Sequence, residues 1–236
     1  ICLLPLPIEE AEQTFQACCG STLCKGCCYA VEKEVSHLIC PFCRAPVLPS
    51  GSDGEWIKRI TKRVEANDGE AIFVLGYRYS IGANGLPQDH SKAMELWLRA
   101  GELGCAEAYG NAAELYYYGK GVERDVKKAK YYGELAAIGG DVKARHNLGC
   151  TEGMEGNMTR AVKHYMIAAG AGNDVSLENI RQLYMLTSLG SEFVSKEDFE
   201  KAARAHKEAS DEMKSEQREA ATKDLSFMCR SGPGYF

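Results

Sequence analysis

Apolar residues recur at helical spacing along the chain from Trp56 onward. Two segments place them at i, i+4 and i+8, on one face of a helix: Ala71, Leu75, Tyr79 and Ala108, Ala112, Tyr116. A third segment begins at Ala144, so that the starting alanines lie 37 and 36 residues apart. The pattern therefore predicts an internal helical repeat.

Each copy is predicted to form an antiparallel pair of helices. Residues that can accept hydrogen bonds from free amides precede the second helix: Asp89, Asp125 and Asn157. Glycines that suit a left-handed C-cap follow it: Gly104, Gly140 and Gly172. Small residues beside the apolar stripe allow close helix packing: Gly76, Ala113 and Gly149. The glycine intervals of 36 and 32 residues place a four-residue deletion in the third copy, around Gly153 to Gly156. Because one pair cannot bury its apolar face, residues 68–175 are predicted to stack as an α-solenoid.

The flanking segments carry weaker patterns. Residues 50–67 are expected to form a linker and a leading helix. Residues 176–225 are expected to form capping helices, since Ser176 and Ile180 take the Ala and Leu positions of a further half-copy. The stretch from 195 to 225 has nine acids, seven bases and a thin apolar stripe, which predicts a solvated capping helix or, alternatively, a docking helix. The tail 226–236 is expected to be disordered.

Composition narrows the range of partners. The 236 residues are 26% charged and 45% hydrophobic with a net charge of −5, as in ordinary soluble proteins. The acidic balance argues against nucleic acid as a partner, and the absence of a long apolar run argues against a membrane span. The chain opens on Ile1 rather than Met, so we expect that its true N-terminus is missing. Three cysteines lie apart from one another in helical-looking sequence and are expected to be small buried hydrophobic residues: Cys105, Cys150 and Cys229. Because they have no evident disulfide partner, they favour a reducing compartment, the cytoplasm or nucleus.

Eight of the 11 cysteines lie before residue 44. A disulfide framework is typical of short secreted chains, and a redox site needs one C-x-x-C motif. Here two such motifs, Cys24–Cys27 and Cys40–Cys43, lie twelve residues apart. This spacing favours thiolates around zinc, which binds four ligands tetrahedrally. The sequence therefore predicts a zinc-binding module over residues 1–49.

The repeat sequence resembles a known family. The segment "YYYGKGVERDVKKA" within residues 108–140 resembles Sel-1-like repeats, whose nearest relatives are tetratricopeptide repeats. The resemblance implies a right-handed α-solenoid with a concave face that binds protein and has no chemistry of its own. No catalytic residue is predicted, because acids and histidines such as His146 and His164 sit at helical positions without a motif.

The cysteine order, with "CCGSTLCKGC" and "CPFCR", resembles all-cysteine RING fingers. The resemblance implies two zinc ions in a cross-brace. One would be held by Cys2, Cys24, Cys27 and a cysteine missing upstream of Ile1, so that this site lacks one ligand in the present chain. The other would be held by Cys18, Cys19, Cys40 and Cys43. Since Ser21 stands where RING fingers carry His, either Cys18 or His37 completes the second set.

The RING resemblance also implies a function. It assigns contact with a ubiquitin-conjugating enzyme and ubiquitin to a small set of residues: Ile1, Val31, Pro41, Phe42 and Arg44. Arg44 follows the last ligand, where a basic residue steadies the ubiquitin thioester. The sequence thus predicts a mostly α protein, in which a RING-like module precedes a substrate-binding solenoid and acts as a ubiquitin ligase. The alternative is a non-catalytic scaffold with a degenerate zinc module.

Overall fold

The structure is a computed structural model that describes residues 2, 4–7, 13–34, 39–49, 51–187 and 193–224. The described residues form two compact units. One unit comprises residues from 1–105 and 213–236, and the other comprises residues 106–212. In the described ranges, no helix is both long and apolar enough to cross a bilayer.

The first unit begins with a β-hairpin. Strand β1 (Gln13–Gln16) pairs antiparallel with β2 (Ser21–Cys24), and Gln16 lies opposite Ser21. Strand β2 continues directly into α1 (Lys25–Glu34). Leu23 is buried with Cys24 and Cys27, so the end of β2 and the first turn of α1 form one small core.

Helix α2 (Asp53–Glu65) packs against this N-terminal region. Trp56 and Ile60 are buried in a cluster with Ala17, from the hairpin turn, and Ala71, from the next helix. The apolar face of α2 is therefore shared between the cysteine-rich segment and the first helical repeat. The predicted boundaries at 49, 67, 175 and 225 stay predictions, and the compact units divide the chain elsewhere.

The first repeat consists of α3 (Gly69–Ile81) and α4 (His90–Glu102). The Asp89 side chain accepts a hydrogen bond from the Lys92 amide at 2.9 Å, which confirms the predicted cap. A Cβ on Gly76 would lie 2.7 Å from Trp97 Nε1, so the two helices approach closely because this position has no side chain. Gly104 follows α4 with φ of 96°, in the region that favours glycine.

The second unit continues the series of helices: α5 (Ala106–Tyr118), α6 (Val126–Ile138), α7 (Val142–Met154), α8 (Met158–Gly170), α9 (Asp174–Thr187) and α10 (Lys196–Glu212). Helix α5 packs on α6 and α7 on α8, while α6 contacts α7 and α8 contacts α9. Five of the predicted core positions in this unit are buried, namely Ala108, Ala112, Ala144, Ser176 and Ile180, whereas Tyr116 on the same predicted face is half-buried. Helix α10 packs against α8 and α9.

The shortened loop of the third copy corrects one prediction. Asn157 precedes α8, but its side chain accepts no capping hydrogen bond. Instead its Nδ2 donates to Glu152 Oε2 at 3.0 Å. Glu152 is only 1% exposed and also pairs with Lys130 Nζ at 3.1 Å and Arg160 at 3.2 Å. The deletion brings a buried carboxylate beside Asn157, which therefore acts as a donor rather than as a cap.

Helix α11 (Glu216–Lys223) belongs to the first unit and packs against α1. A Cβ on Gly26 would lie 2.5 Å from the Arg218 amide nitrogen, so the helices meet at a glycine. Lys33 Nζ and Asp224 Oδ2 form an ion pair at 3.1 Å. No sequence pattern indicates this contact between the two ends of the chain.

Candidate functional site

The four-thiol cluster consists of Cys18, Cys19, Cys40 and Cys43. Their sulfur atoms all lie within 4.8 Å of one another. Cys19 Sγ is 3.6 Å from Cys40 Sγ, and Cys18 Sγ is 3.4 Å from Cys43 Sγ. Tetrahedral zinc with Zn–S bonds of ~2.3 Å requires sulfur separations of roughly 3.8 Å. The donor set and its spacing therefore fit a structural metal ion.

The hairpin turn explains how two adjacent cysteines enter one cluster. Residues 17–20 connect β1 to β2, and the amides of Cys19 and Gly20 both donate to Gln16 O, at 3.1 and 2.7 Å. Gly20 has φ of 75°, which lets the chain reverse within these four residues. In a strand, neighbouring side chains would point to opposite faces. In this turn, both thiols reach the same site.

A second tight turn carries the other two thiols. The Cys40 amide donates to Ala45 O at 2.8 Å, and the Arg44 amide donates to Cys40 O at 2.9 Å. Cys40 is buried, whereas Cys43 is exposed. Arg44 has φ of 59°, a left-handed conformation that costs a non-glycine residue ~1–2 kcal/mol.

The three-thiol cluster consists of Cys2, Cys24 and Cys27, whose sulfurs also lie within 4.8 Å of one another. Cys2 Sγ is 3.8 Å from Cys24 Sγ, and the Cys2 amide donates to Cys27 Sγ at 3.2 Å. From α11, Arg218 places a guanidinium nitrogen 3.8 Å from Cys2 Sγ and donates to Pro5 O at 2.7 Å. The cluster thus supplies three metal ligands with a cationic side chain beside them.

The thiols within each cluster have opposed pKa shifts. The Ala45 amide lowers the pKa of Cys43 to about 7, while burial raises the pKa of Cys18. In the three-thiol cluster, burial raises the pKa of Cys27 to about 12. Against the effect of its own burial, hydrogen bonds from the Leu4 amide and neighbouring thiols lower the pKa of Cys2 to about 7. Close sulfurs cannot all ionise without a cation to offset their charge, which is what a divalent metal provides.

Each cluster contains the cysteines that the RING resemblance assigns to one zinc ion. The members of the two clusters alternate along the chain: Cys2, then Cys18 and Cys19, then Cys24 and Cys27, then Cys40 and Cys43. None of the ten described cysteines forms a disulfide. Cys28 lies outside both clusters, in the small core with Leu23, where burial raises its pKa to about 11. His37, the alternative ligand, lies outside the described residues. Zinc at either cluster stays a prediction.

Of the predicted contact residues, Pro41, Phe42 and Arg44 lie in the turn that carries Cys40 and Cys43. Phe42 is 43% exposed and Arg44 is exposed, whereas Pro41 is half-buried. Val31 is half-buried on α1. Ile1 lies outside the described residues. The turn therefore presents an apolar ring and a guanidinium to solvent beside the four-thiol cluster.

The second unit contains a cavity of about 310 Å³ among α5, α6 and α7, hereafter the repeat cavity. Its walls combine small and apolar residues with hydrogen-bonding side chains: Ala113, Tyr117, Lys130, Asn147, Leu148, Cys150 and Met154. Tyr118 and Met154 at its edge are 63% and 70% exposed. Such a mixed surface suits a peptide segment, which offers both side chains and backbone groups.

Comparison with known proteins identifies the repeats. Three consecutive segments match the family model of the Sel1 repeat: residues 69–105, 106–141 and 142–173. The matches confirm the predicted Sel-1-like repeats and a mostly helical repeat fold, and they imply protein partners. They do not extend to the cysteine-rich segment, for which the structure shows clustered thiols but no established RING fold.

Two curated relatives are similar to part of this chain. DAP3-binding cell death enhancer 1 from Rattus norvegicus is 33% identical over 106 residues, which cover 43% of this chain and 20% of the rat protein. The ERAD-associated E3 ubiquitin-protein ligase component HRD3B from Arabidopsis thaliana is 31% identical over 100 residues, 42% of this chain and 15% of the plant protein. The chain thus spans a fifth or less of the length of these relatives.

Two solved structures share the fold. A Sel1 repeat protein from Oxalobacter formigenes superposes with a TM-score of 0.55 at 29% identity, covering 66% of this chain and 64% of that one. The protective antigen c5321 of uropathogenic Escherichia coli, described as an SLR fold, gives 0.54 at 26% identity, covering 75% of this chain and 37% of that one.

Proposed function

We propose that this Sel1-repeat protein is a zinc-dependent RING-type ubiquitin ligase. In this proposal the cysteine-rich module recruits a ubiquitin-conjugating enzyme, and the repeats bind the protein substrate. The free thiols suit a reducing compartment, so we place the activity in the cytoplasm or nucleus.

Zinc would be held by all four residues of the four-thiol cluster and by the three residues of the three-thiol cluster. Such an ion is structural: it fixes loops and performs no reaction itself. The chain's own residues would then supply the function, because the cross-links hold the Cys40–Cys43 turn in one conformation. The ligase needs such rigidity since it accelerates transfer by orienting the conjugating enzyme and ubiquitin.

The conformation of Arg44 is the observation that carries the proposal. A left-handed turn residue is normally glycine, yet here the position is an exposed arginine at φ of 59°. The fold alone gains nothing from this choice, whereas a ligase would use the long side chain. A guanidinium offers several donors in a planar fork, which suits carbonyl groups on two proteins at once. Phe42, 43% exposed in the same turn, supplies apolar area for docking the enzyme.

The repeats support the substrate-binding half of the proposal. The repeat cavity combines aromatic, aliphatic and amide groups, which can take an extended or helical protein segment. HRD3B is by name a component of an E3 ubiquitin-protein ligase, and it is 31% identical to this chain over 100 residues. That likeness supports a protein-selecting role for the repeats in an assembly of this kind.

A non-catalytic scaffold is the second candidate. Val31, at a position where RING fingers often carry tryptophan, is half-buried and offers little contact area. Ser21 also stands at a position where RING fingers carry a histidine ligand. A scaffold would use the metal-held module only as a protein contact.

The two candidates are separated by ubiquitin discharge, the release of ubiquitin from a charged conjugating enzyme to lysine. We expect the zinc-loaded, full-length protein to stimulate discharge with at least one enzyme of a panel. Arg44→Gly should keep zinc and enzyme binding, because glycine relieves the left-handed strain, but should slow discharge about tenfold, equivalent to ~1.4 kcal/mol. Phe42→Ala should weaken enzyme binding instead.

The matched control is Arg204→Ala, which removes an exposed arginine from α10 and should leave discharge unchanged. If no enzyme of the panel discharges with the wild type, or if Arg44→Gly has no effect, the catalytic proposal fails and the scaffold stands.

A further inference from the structure

Cys150 lines the repeat cavity and has an imidazole at hydrogen-bonding distance. We propose that Cys150 is a nucleophilic thiol activated by His146, and that it is a site of covalent modification by small hydroperoxides. The site is independent of the thiol clusters and of the ligase proposal, since every residue involved lies in the second unit.

The pair is built by helix periodicity. His146 and Cys150 are four residues apart on α7, so their side chains are neighbours on one face. Cys150 Sγ lies 3.5 Å from His146 Nε2. The other ring nitrogen, Nδ1, is 2.8 Å from Ser176 Oγ on α9. Ser176 is fully buried, and its amide donates to Asn173 Oδ1 at 2.7 Å, which fixes the serine at the start of its helix.

This arrangement assigns a role to each nitrogen. When Ser176 Oγ accepts a hydrogen bond from Nδ1, Nε2 carries the free lone pair and faces the thiol. His146 Nε2 is then the base that takes the proton of Cys150. Ser176 acts as a positioning residue, since it holds the ring in this tautomer.

A tyrosine completes the set from α8. Tyr165 OH donates to Cys150 Sγ at 3.5 Å, a bond that becomes stronger when the sulfur is charged. The hydrogen bond with His146, followed by the one from Tyr165, lowers the pKa of Cys150 although its partial burial acts in the opposite direction. Burial raises the pKa of Tyr165, which therefore stays a neutral donor.

The reaction with hydrogen peroxide balances within this set. The thiol proton passes to His146 Nε2, and Sγ attacks one peroxide oxygen, so that an S–O bond forms as the O–O bond breaks. The leaving hydroxide takes the proton from the imidazolium and becomes water. The sulfur is oxidised by two electrons to a sulfenic acid, and the peroxide is reduced. The repeat cavity, at about 310 Å³, admits a reagent of this size.

The first test measures nucleophilicity in the full-length, zinc-loaded chain. Iodoacetamide alkylation of Cys150 is followed by peptide mass spectrometry from pH 5 to 10, with Cys105, whose thiol hydrogen-bonds the Glu70 carboxylate at 3.9 Å, as internal comparison. We expect the pH profile of Cys150 alkylation to have its midpoint well below pH ~8.5, which is the midpoint of an ordinary thiol. A Cys150 profile with an ordinary midpoint would overturn the proposal without any substitution.

The second test uses variants. His146→Gln should slow alkylation of Cys150 at pH 7 by about tenfold, corresponding to ~1.4 kcal/mol, and should shift its pH profile upward. Ser176→Ala should cause a smaller shift in the same direction. His164→Gln, which replaces an imidazole on α8 outside the hydrogen-bonded set, is the matched control and should change neither.

The third test adds hydrogen peroxide and traps sulfenic acid with dimedone. Labelling at Cys150 that is lost in His146→Gln supports the proposal. Equal labelling of Cys150 and Cys105, or alkylation unaffected by His146→Gln in a folded variant, contradicts it.

Discussion

Replacing Gly149 with alanine tests the close packing of α7 against α8. A Cβ at this position would lie 2.6 Å from Tyr165 Cε1 and 2.7 Å from Cδ1. Carbon atoms pack at about 3.5–4.0 Å, so either the ring or the helix must move by about 1 Å. The ring has little freedom, because Tyr165 is 7% exposed within the core that contains Ala161 and Ile180.

Gly133→Ala on α6 is the matched control. There the added Cβ would meet Leu148 Cδ2 at 3.7 Å, an ordinary contact. Both substitutions replace a mid-helix glycine in the second unit, so both gain ~1 kcal/mol of helix propensity. The difference between the two variants therefore isolates the overpacking at Gly149, which we estimate at ~1–3 kcal/mol.

The two variants are compared by urea and thermal denaturation, monitored by helical circular dichroism. For a chain of this length, ~2 kcal/mol corresponds to roughly 4–8 °C in Tm. We expect Gly133→Ala to be at least as stable as the wild type and Gly149→Ala to be the least stable of the three. Equal stability of the two variants would refute the contact between Gly149 and Tyr165.

Four further predictions concern the buried carboxylate and the metal. Glu152→Ala should destabilise the second unit by ~1–3 kcal/mol in urea denaturation, because it removes a buried carboxylate that pairs with Lys130 and Arg160 and accepts a hydrogen bond from Asn157, while Lys130 keeps its ion pair with Glu155. An unchanged denaturation midpoint would contradict a structural role for Glu152. Burial raises the pKa of Glu152, but the hydrogen bonds with Lys130 and Asn157 and the positive charges of Lys130 and Arg160 together lower it below its usual value. This stabilisation is therefore present above ~pH 4.3 and is lost as pH falls through the lowered pKa; a denaturation series over pH 2–7 should show the loss in wild type but not in Glu152→Ala. Arg218→Ala should weaken zinc binding at the three-thiol cluster by about tenfold in chelator competition, whereas loss at both clusters would indicate unfolding instead. Zinc removal should shift the fluorescence emission of Trp56 to longer wavelength, measured in a Trp97→Phe variant. An unchanged spectrum would show that the burial of Trp56 on α2 does not depend on the metal-held module.

The repeats were largely predictable from the sequence because their signals are local. The spacing of Ala71, Ala108 and Ala144 follows from helix periodicity, and caps such as Asp89 act within four residues. Asn157 is the exception. Its side chain bonds to Glu152 because a four-residue deletion brings the two together, an effect that a position-by-position alignment does not reveal.

The sequence alone determined the helical repeats and the abundance of closely spaced cysteines, since periodicity and ligand spacing are properties of the chain read in order. The RING resemblance also implied which thiols meet, but only the tertiary structure supplied the reason: the turn at residues 17–20 brings the adjacent Cys18 and Cys19 into one cluster. Only the tertiary structure decided that Arg218 reaches Cys2 across 216 residues and that His146 forms a hydrogen bond with Ser176. Each of these contacts depends on how separate helices pack, and packing is set by the shape of the whole buried surface rather than by any local pattern.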